Sequence, residues 1–368
     1  MLAHLRQPNR SVARLSHMTR FAVHVACADG QSIDTFQLDT DSGALTPGQS
    51  LPLGVKVQCL AMHPSNRVLY AALATAPPSV TALSIDSGSG NLAPGENADL
   101  VAGMAYLGVD PSGNHLLGAS YSDHLISVMN LDDDGAMVPG SATSEAPGTH
   151  AHAVVTSPDG RFVYATALGD DLIAWWALDP ATGALTDHGQ IATPAGSGPR
   201  HLRFSPSGAT LYALHEMSGE IAAYTRDPST GALTERQRIS SISPSLDLVH
   251  GRVRDGSGPE PAANAIWCAE LQVSPDGRFL YSTERSSSTI AVVAVAPDGT
   301  LSLVHTTPTQ SQPRGMNIDP TGGFLLACGE ASSALTVYAI DPQSGLLHER
   351  ERHDCSAGPR WIEFSPVS

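Results

Sequence analysis

Residues 198–216 read GPRHLRFSPSGATLYALHE, and this stretch decides the fold because it holds one complete strand, turn and strand. The run RHLRF enters a Ser205-Pro206-Ser207-Gly208 turn, and TLYALHE returns antiparallel with Leu211 and Ala213 at alternate apolar positions. Arg200 begins one strand and Glu216 ends its partner. In an antiparallel pair those two positions lie at the same end, so the unit places a cation and a carboxylate on one edge of its sheet.

The proline-centred turn recurs at Pro64 (HPSN), Pro111 (DPSG), Pro158 (SPDG), Pro206 (SPSG), Pro275 (SPDG), Pro320 (DPTG) and Pro366 (SPVS), with spacings of 47, 47, 48, 69, 45 and 46 residues. The period is close to 47, with one insertion of about 22 residues in the fourth gap, at about 243–263. A second marker follows a later strand of each copy: an Asp…Gly hairpin begins at Asp39, Asp86, Asp132, Asp179, Asp227 and Asp341, with a shortened PDGTL ending at Leu301. Each unit therefore reads as inner strand, Pro-Gly turn, second strand, loop, third strand, Asp…Gly hairpin and fourth strand.

Four strands repeating every 40–50 residues are the signature of a β-propeller. FAVHVAC (21–27) matches a second strand with no inner strand before it, and RWIEFSP (360–366) is an inner strand with nothing after it. Joining the two completes a seventh blade and removes the open sheet edges. The expectation is an all-β, seven-bladed propeller of four-stranded antiparallel blades over residues 20–368, closed by the N- and C-terminal strands in one blade. Residues 1–19 are arginine-rich and lack the apolar core of a signal peptide, so a disordered arm is expected there. The insertion is rich in Ser, Gly and Pro and has no period, which marks a functional or disordered loop, a lid being one such role.

The chain has 368 residues, more than one hydrophobic core usually serves, and the repeat resolves that excess. Its 41% hydrophobic content, 34 Gly and 27 Pro, with no apolar run near 18 residues, describe a turn-rich β protein without a membrane span. Twenty basic residues against 36 acidic ones give a net charge of −16, which argues against nucleic acid or an anionic membrane as main partner. Lys56 is the only lysine, so nearly all positive charge is arginine, suited to bidentate recognition of carboxylate or phosphate. The five cysteines form no CxxC pair, so neither a zinc site nor a disulfide framework is indicated. Buried thiols in a reducing, cytoplasmic compartment are expected, and a monomer or weak homodimer.

Blade geometry puts the start of every inner strand and the end of every second strand on one face of the ring. Six residues before the proline, the copies carry Gln58, Ala105, His152, Arg200, Ala269, Arg314 and Arg360. Ten residues after it they carry Ala74, Tyr121, Leu168, Glu216, Arg285 and Glu330, with a residue near Ala28 from the N-terminal segment. Structural positions should repeat, and these do not. One face of the channel gathers four arginines, a histidine, a tyrosine and two glutamates on an acidic protein, a local inversion of sign that suits an anion site. The competing reading, arginines and glutamates merely paired across the rim, leaves two arginines and His152 over. His150 is read as a loop histidine. No metal is expected, since no three carboxylates or histidines fall at equivalent ring positions.

The segments SPDGRFVYAT, SPDGRFLYST, GPRH…HE and TQSQPRGMNIDPTGGFLLACGE resemble the seven-bladed propeller lactonases, which include the propeller-type bacterial 6-phosphogluconolactonases. The likeness runs from about residue 20 to 366 and is strongest over 198–340; the fungal carboxymuconate cycloisomerase is similar in fold. Carried over residue by residue, it implies a catalytic set of His152, Arg200, Glu216 and Arg285, the residues that ring geometry also selects. Tyr121, His201, Arg314, Glu330 and Arg360 are expected as substrate contacts. Arg360 and the long insertion depart from the family's pattern.

The resemblance implies a lactonase acting on an anionic sugar-acid lactone without a cofactor, most like a 6-phosphogluconolactonase. An aldarolactone lactonase and a carboxymuconate-type cycloisomerase remain alternatives. No nucleophilic Ser or Cys motif is present, so direct water attack is expected, with arginines stabilising the oxyanion, His152 as general base and Glu216 orienting it or the water. A non-enzymatic interaction propeller is the reading from another class. Against it stand the arginine-rich rim and the lack of a Trp-Asp dipeptide in any copy.

Overall fold

A computed structural model describes residues 19–368; the arm expected over residues 1–19 lies, but for its last residue, outside the described part. Twenty-eight strands form seven four-stranded antiparallel sheets, and the single helical element among the described residues is a 3-10 turn at Pro244–Leu246. The inner strands Val57–Met62, Tyr106–Val109, Ala151–Thr156, Pro199–Phe204, Cys268–Val273, Pro313–Ile318 and Pro359–Pro366 neighbour one another around a closed ring. Pro359–Pro366 pairs with Arg20–Cys27, which continues to Ser32–Asp39 and Leu45–Pro52. The ring is thus closed by the two chain ends in one blade, as the repeat count requires.

Both sequence markers have a local cause. The residue before the turn proline is Ser or Asp in six copies, and in five of them its side chain satisfies the amide five residues on. Ser157 Oγ accepts from Phe162 N at 3.0 Å, Ser274 Oγ from Phe279 N at 3.0 Å and Asp110 Oδ1 from His115 N at 2.8 Å. The glycine of the second marker does two jobs. Gly231 and Gly345 take φ of 75° and 72°, open to glycine at little cost, and their carbonyls accept the Tyr164 and Tyr281 hydroxyls of the preceding blades at 2.7 and 3.0 Å. A Cβ on Gly345 would meet the Phe279 ring at 2.4 Å. The hairpin of one blade is therefore pinned to its predecessor, and the apolar core lies between blades, as where Phe162, Tyr164, Leu202, Leu211 and Tyr224 pack together. Each such side chain contributes about 1.5–3 kcal/mol by leaving water.

One feature of the inner strands positions the site. Their pairing with the second strands slips at the channel mouth, between Val57 and Cys59, Ala151 and Val154, Pro199 and His201, Cys268 and Leu271, and Pro313 and Gly315. The same slip skips Arg360 between its neighbours Pro359 and Trp361. In six blades, then, the residue six before the proline sits in a β-bulge, which re-aims its side chain relative to the strand.

The insertion joins Leu233–Ser240 to Cys268–Val273. It is tied down rather than free: Val249 bridges to Ala265, and Gly251 N donates to Met217 O at 2.8 Å. Gly251 is needed for that close approach, since a Cβ there would sit 2.1 Å from Ile266 O.

Candidate active site

The bulged residues and the ends of the second strands meet in a cavity of about 220 Å³ lined by Ala105, Tyr121, His152, Arg200, Glu216, Arg254, Trp267, Arg285 and Arg314.

Glu216 lies at its centre. Arg200 Nε and Arg285 Nη2 both donate to Glu216 Oε2, at 2.7 and 2.9 Å, and both arginine side chains are 1% exposed. Burial and the nearby Arg285 charge pull the Arg200 guanidinium down to about 9, so it is still protonated at neutral pH, and Glu216 offsets part of the cost. Arg200 Nη1 is spent on His201 Nε2 at 3.0 Å and on the Ala269 carbonyl, which leaves Nη2 for the cavity. Glu330 holds a second group: it faces Arg285 Nη1 at 3.5 Å, Arg314 Nη1 at 3.5 Å and Arg360 Nη2 at 3.4 Å. Burial would raise its carboxyl, but those guanidiniums, Arg314 foremost, hold it below the usual range. Arg360 also donates to Gln58 Oε1 at 2.7 Å. Four guanidiniums therefore share two carboxylates here, on a protein whose net charge is −16.

His152 is 5% exposed, and neither of its ring nitrogens has a hydrogen-bond partner among the described residues. Its ring meets Tyr121 edge-on at 5.9 Å and His201 at 5.3 Å. Burial first, then the charges of Arg200 and its neighbours, push its pKa well below the ordinary 6.5, so the imidazole is neutral and can accept a proton at pH 7.

Ring geometry brings His152, Arg200, Glu216, Arg285, Tyr121 and Arg314 together on the cavity wall, with Glu330 and Arg360 behind it. Two expectations need correction. Glu216 makes no hydrogen bond to His152 among the described residues; both its bonds to side chains go to guanidiniums. His201, expected as a substrate contact, lies beneath the cavity lining. An arginine can only donate, so His201 Nε2 accepts from Arg200, and Nδ1–H donates to Glu270 Oε1 at 2.9 Å. Together with Tyr106 and Trp361, whose rings it meets edge-on and tilted, it forms a buried cluster under the site.

Two lining residues were not legible from the ring positions. Arg254 comes from the insertion, and Trp267 precedes the inner strand Cys268–Val273. The Arg254 and Arg285 guanidinium carbons stand 4.1 and 3.7 Å from the Trp267 ring centroid. The one signal was an arginine pair, Arg252 and Arg254, within an unperiodic loop of an acidic protein.

Among the described residues no three His, Cys, Asp or Glu side chains are grouped to hold a metal ion, and no helix is long and apolar enough to cross a membrane.

Comparison with known proteins agrees with this architecture. The chain is 31% identical over 346 residues to the 6-phosphogluconolactonase of Serratia proteamaculans, covering 93% of this chain and 98% of that protein. It is 30% identical to the Yersinia pestis 6-phosphogluconolactonase, at 93% and 97% coverage. Among solved structures it superposes on a Bacteroides uniformis protein with a TM-score of 0.82 at 27% identity, covering 94% of this chain and 99% of that one. The Pseudomonas aeruginosa periplasmic gluconolactonase gives a TM-score of 0.79 at 25% identity, covering 95% and 100%. The family model "Lactonase, 7-bladed beta-propeller" matches residues 15–364, and the chain belongs to that family of lactone-hydrolysing enzymes.

Proposed function

We propose that the protein hydrolyses the ring ester of an anionic sugar-acid lactone, of the 6-phosphogluconolactone type, by direct attack of water. The observation that carries this reading is a strongly cationic cavity containing one neutral, unpartnered base, His152. His152 takes a proton from water as its oxygen bonds to the lactone carbonyl carbon. The carbonyl oxygen gains negative charge opposite Arg200 and Arg314, each such donor being worth a factor of about 10²–10³. The ring C–O bond then breaks, and the proton passes from His152 to the leaving ring oxygen. Glu216 holds Arg200 and Arg285 in place, Glu330 does the same for Arg314 and Arg360, and Tyr121 packs against His152.

All five cysteines are free, which fits a reducing, cytoplasmic setting. The large hydrophobic side chains exposed among the described residues are four valines, Val101, Val138, Val249 and Val304, which fits a monomer or weak homodimer. The test is proton release from 6-phosphogluconolactone, gluconolactone and an aldarolactone, with spontaneous hydrolysis subtracted. Turnover of an anionic lactone that falls in His152→Gln supports the assignment. No turnover of any of the three above the spontaneous rate overturns it.

A further inference from the structure

Every cavity arginine but one is committed to a carboxylate. Arg200 and Arg285 share Glu216, and Arg314 faces Glu330. Arg254 has no ion-pair or hydrogen-bond partner among the described residues, and its Nε is buried without one. It lies over the Trp267 face, an apolar platform that supports the guanidinium and leaves its N–H donors unspent.

The loop is held so that this arrangement persists. Asp255, the next residue, pairs with His150 Nε2 at 3.2 Å, and the His150 ring stacks on Tyr121, another cavity residue, at 4.2 Å between centroids. His150 Nδ1 is bonded to the Tyr121 carbonyl at 3.1 Å, and His124 packs edge-on at 4.9 Å. The insertion is thereby clasped to the far rim of the cavity, with Arg254 facing inward. His150, read from sequence as a loop histidine, is the anchor of that clasp.

We propose that Arg254, supported by Trp267, forms a subsite for a second anionic group of the substrate, a phosphate monoester or a carboxylate, remote from the ring ester attacked beside His152. This rests on the lactonase reading above and narrows it: the preferred lactone carries a charged tail. The subsite belongs to the insertion, not to the propeller repeat.

The test compares wild type with Arg254→Gln on 6-phosphogluconolactone, an aldarolactone and neutral gluconolactone. KM should rise tenfold or more for at least one charged lactone, the loss expected on removing a charged donor, while kcat stays within about threefold and KM for gluconolactone is unchanged. The charged lactone that responds identifies the tail as phosphate or carboxylate. Equal KM changes on charged and neutral lactones, or none, overturn the proposal. Thermal protection by inorganic phosphate and by tartrate is measured in parallel on both proteins. Should wild type hydrolyse no lactone, the lactonase reading fails, and these ligands still decide the subsite: protection lost in Arg254→Gln supports it, and protection unchanged or absent from both proteins overturns it.

Discussion

The blade that closes the ring holds a buried histidine, which makes stability at mild acidity a test of how that blade is packed. His24 lies in the N-terminal strand Arg20–Cys27, between Ser32–Asp39 and the C-terminal strand Pro359–Pro366 of the closing blade, and is fully buried. Its Nδ1 is bonded to Thr35 Oγ1 at 3.1 Å and its Nε2 to Ser365 Oγ at 2.8 Å, so one imidazole joins the inner strand of that blade to the next two. Burial lowers its pKa from 6.5 to about 3. The unfolded chain therefore takes up this proton first as pH falls. The stability is fully present above about pH 6.5 and is lost progressively down to about pH 3. At pH 5 the loss is about 1.5 pKa units, or about 2 kcal/mol. Urea unfolding of wild type and His24→Gln at pH 7.5 and 5.0 isolates this contribution, because the other buried histidines titrate alike in both proteins. The variant is expected to be the less stable at pH 7.5, but its decrease between the two pH values should be smaller than that of wild type by about 2 kcal/mol. Equal decreases would mean that His24 accepts its proton in the folded blade, and the reasoning fails.

His152→Gln should lower kcat/KM by about 10²–10⁴ while substrate analogues still bind. In wild type, activity should hold from pH 8 to below 6.5 and fall only as pH drops through the depressed histidine value, and that limb should vanish from the residual activity of the variant, as pH–rate profiles will report. Glu216→Gln leaves Arg200, 1% exposed, without a carboxylate and takes from Arg285 the nearer of its two; it should cost about 3–5 kcal/mol in urea unfolding, and equal stability would show that Glu216 does not serve as their counter-charge. Deleting residues 360–368 removes the inner strand with Trp361, Ile362 and Phe364 and opens the edge of Arg20–Cys27; size-exclusion chromatography should find aggregate, and a monomeric, active truncation would contradict the closure.

The architecture was readable from sequence because its determinants are local. A Ser or Asp that binds an amide five residues on, and a glycine at positive φ, leave the same marks in each copy. The arginine ring was readable because a fixed period converts sequence position into ring position. What escaped depends on contacts between distant residues. Nothing in HGRVRDG says that Arg254 will meet Trp267, because the loop between them has no period to set its path. The direction of Glu216 escaped for a related reason. Spacing places it beside both His152 and Arg200, and only the bulge at Arg200, which turns that guanidinium inward at 2.7 Å, decides between them.

That decision bears on the chemistry. A carboxylate whose Oε2 accepts from two buried guanidiniums is committed to them, since turning to another partner would forfeit both ion pairs. Glu330 is committed in the same way to Arg285, Arg314 and Arg360. The two carboxylates at the site are therefore what lets so many arginines be buried together, and the arginines in turn are what an oxyanion needs. Burial and then the same cationic field disfavour an imidazolium, so the His152 ring stays neutral. Beneath them Glu270 accepts from His201 and Arg203, and Tyr106 and Trp361 complete the buried cluster. The cavity that holds His152 also takes in Arg254 from the insertion, and that guanidinium has no carboxylate partner among the described residues.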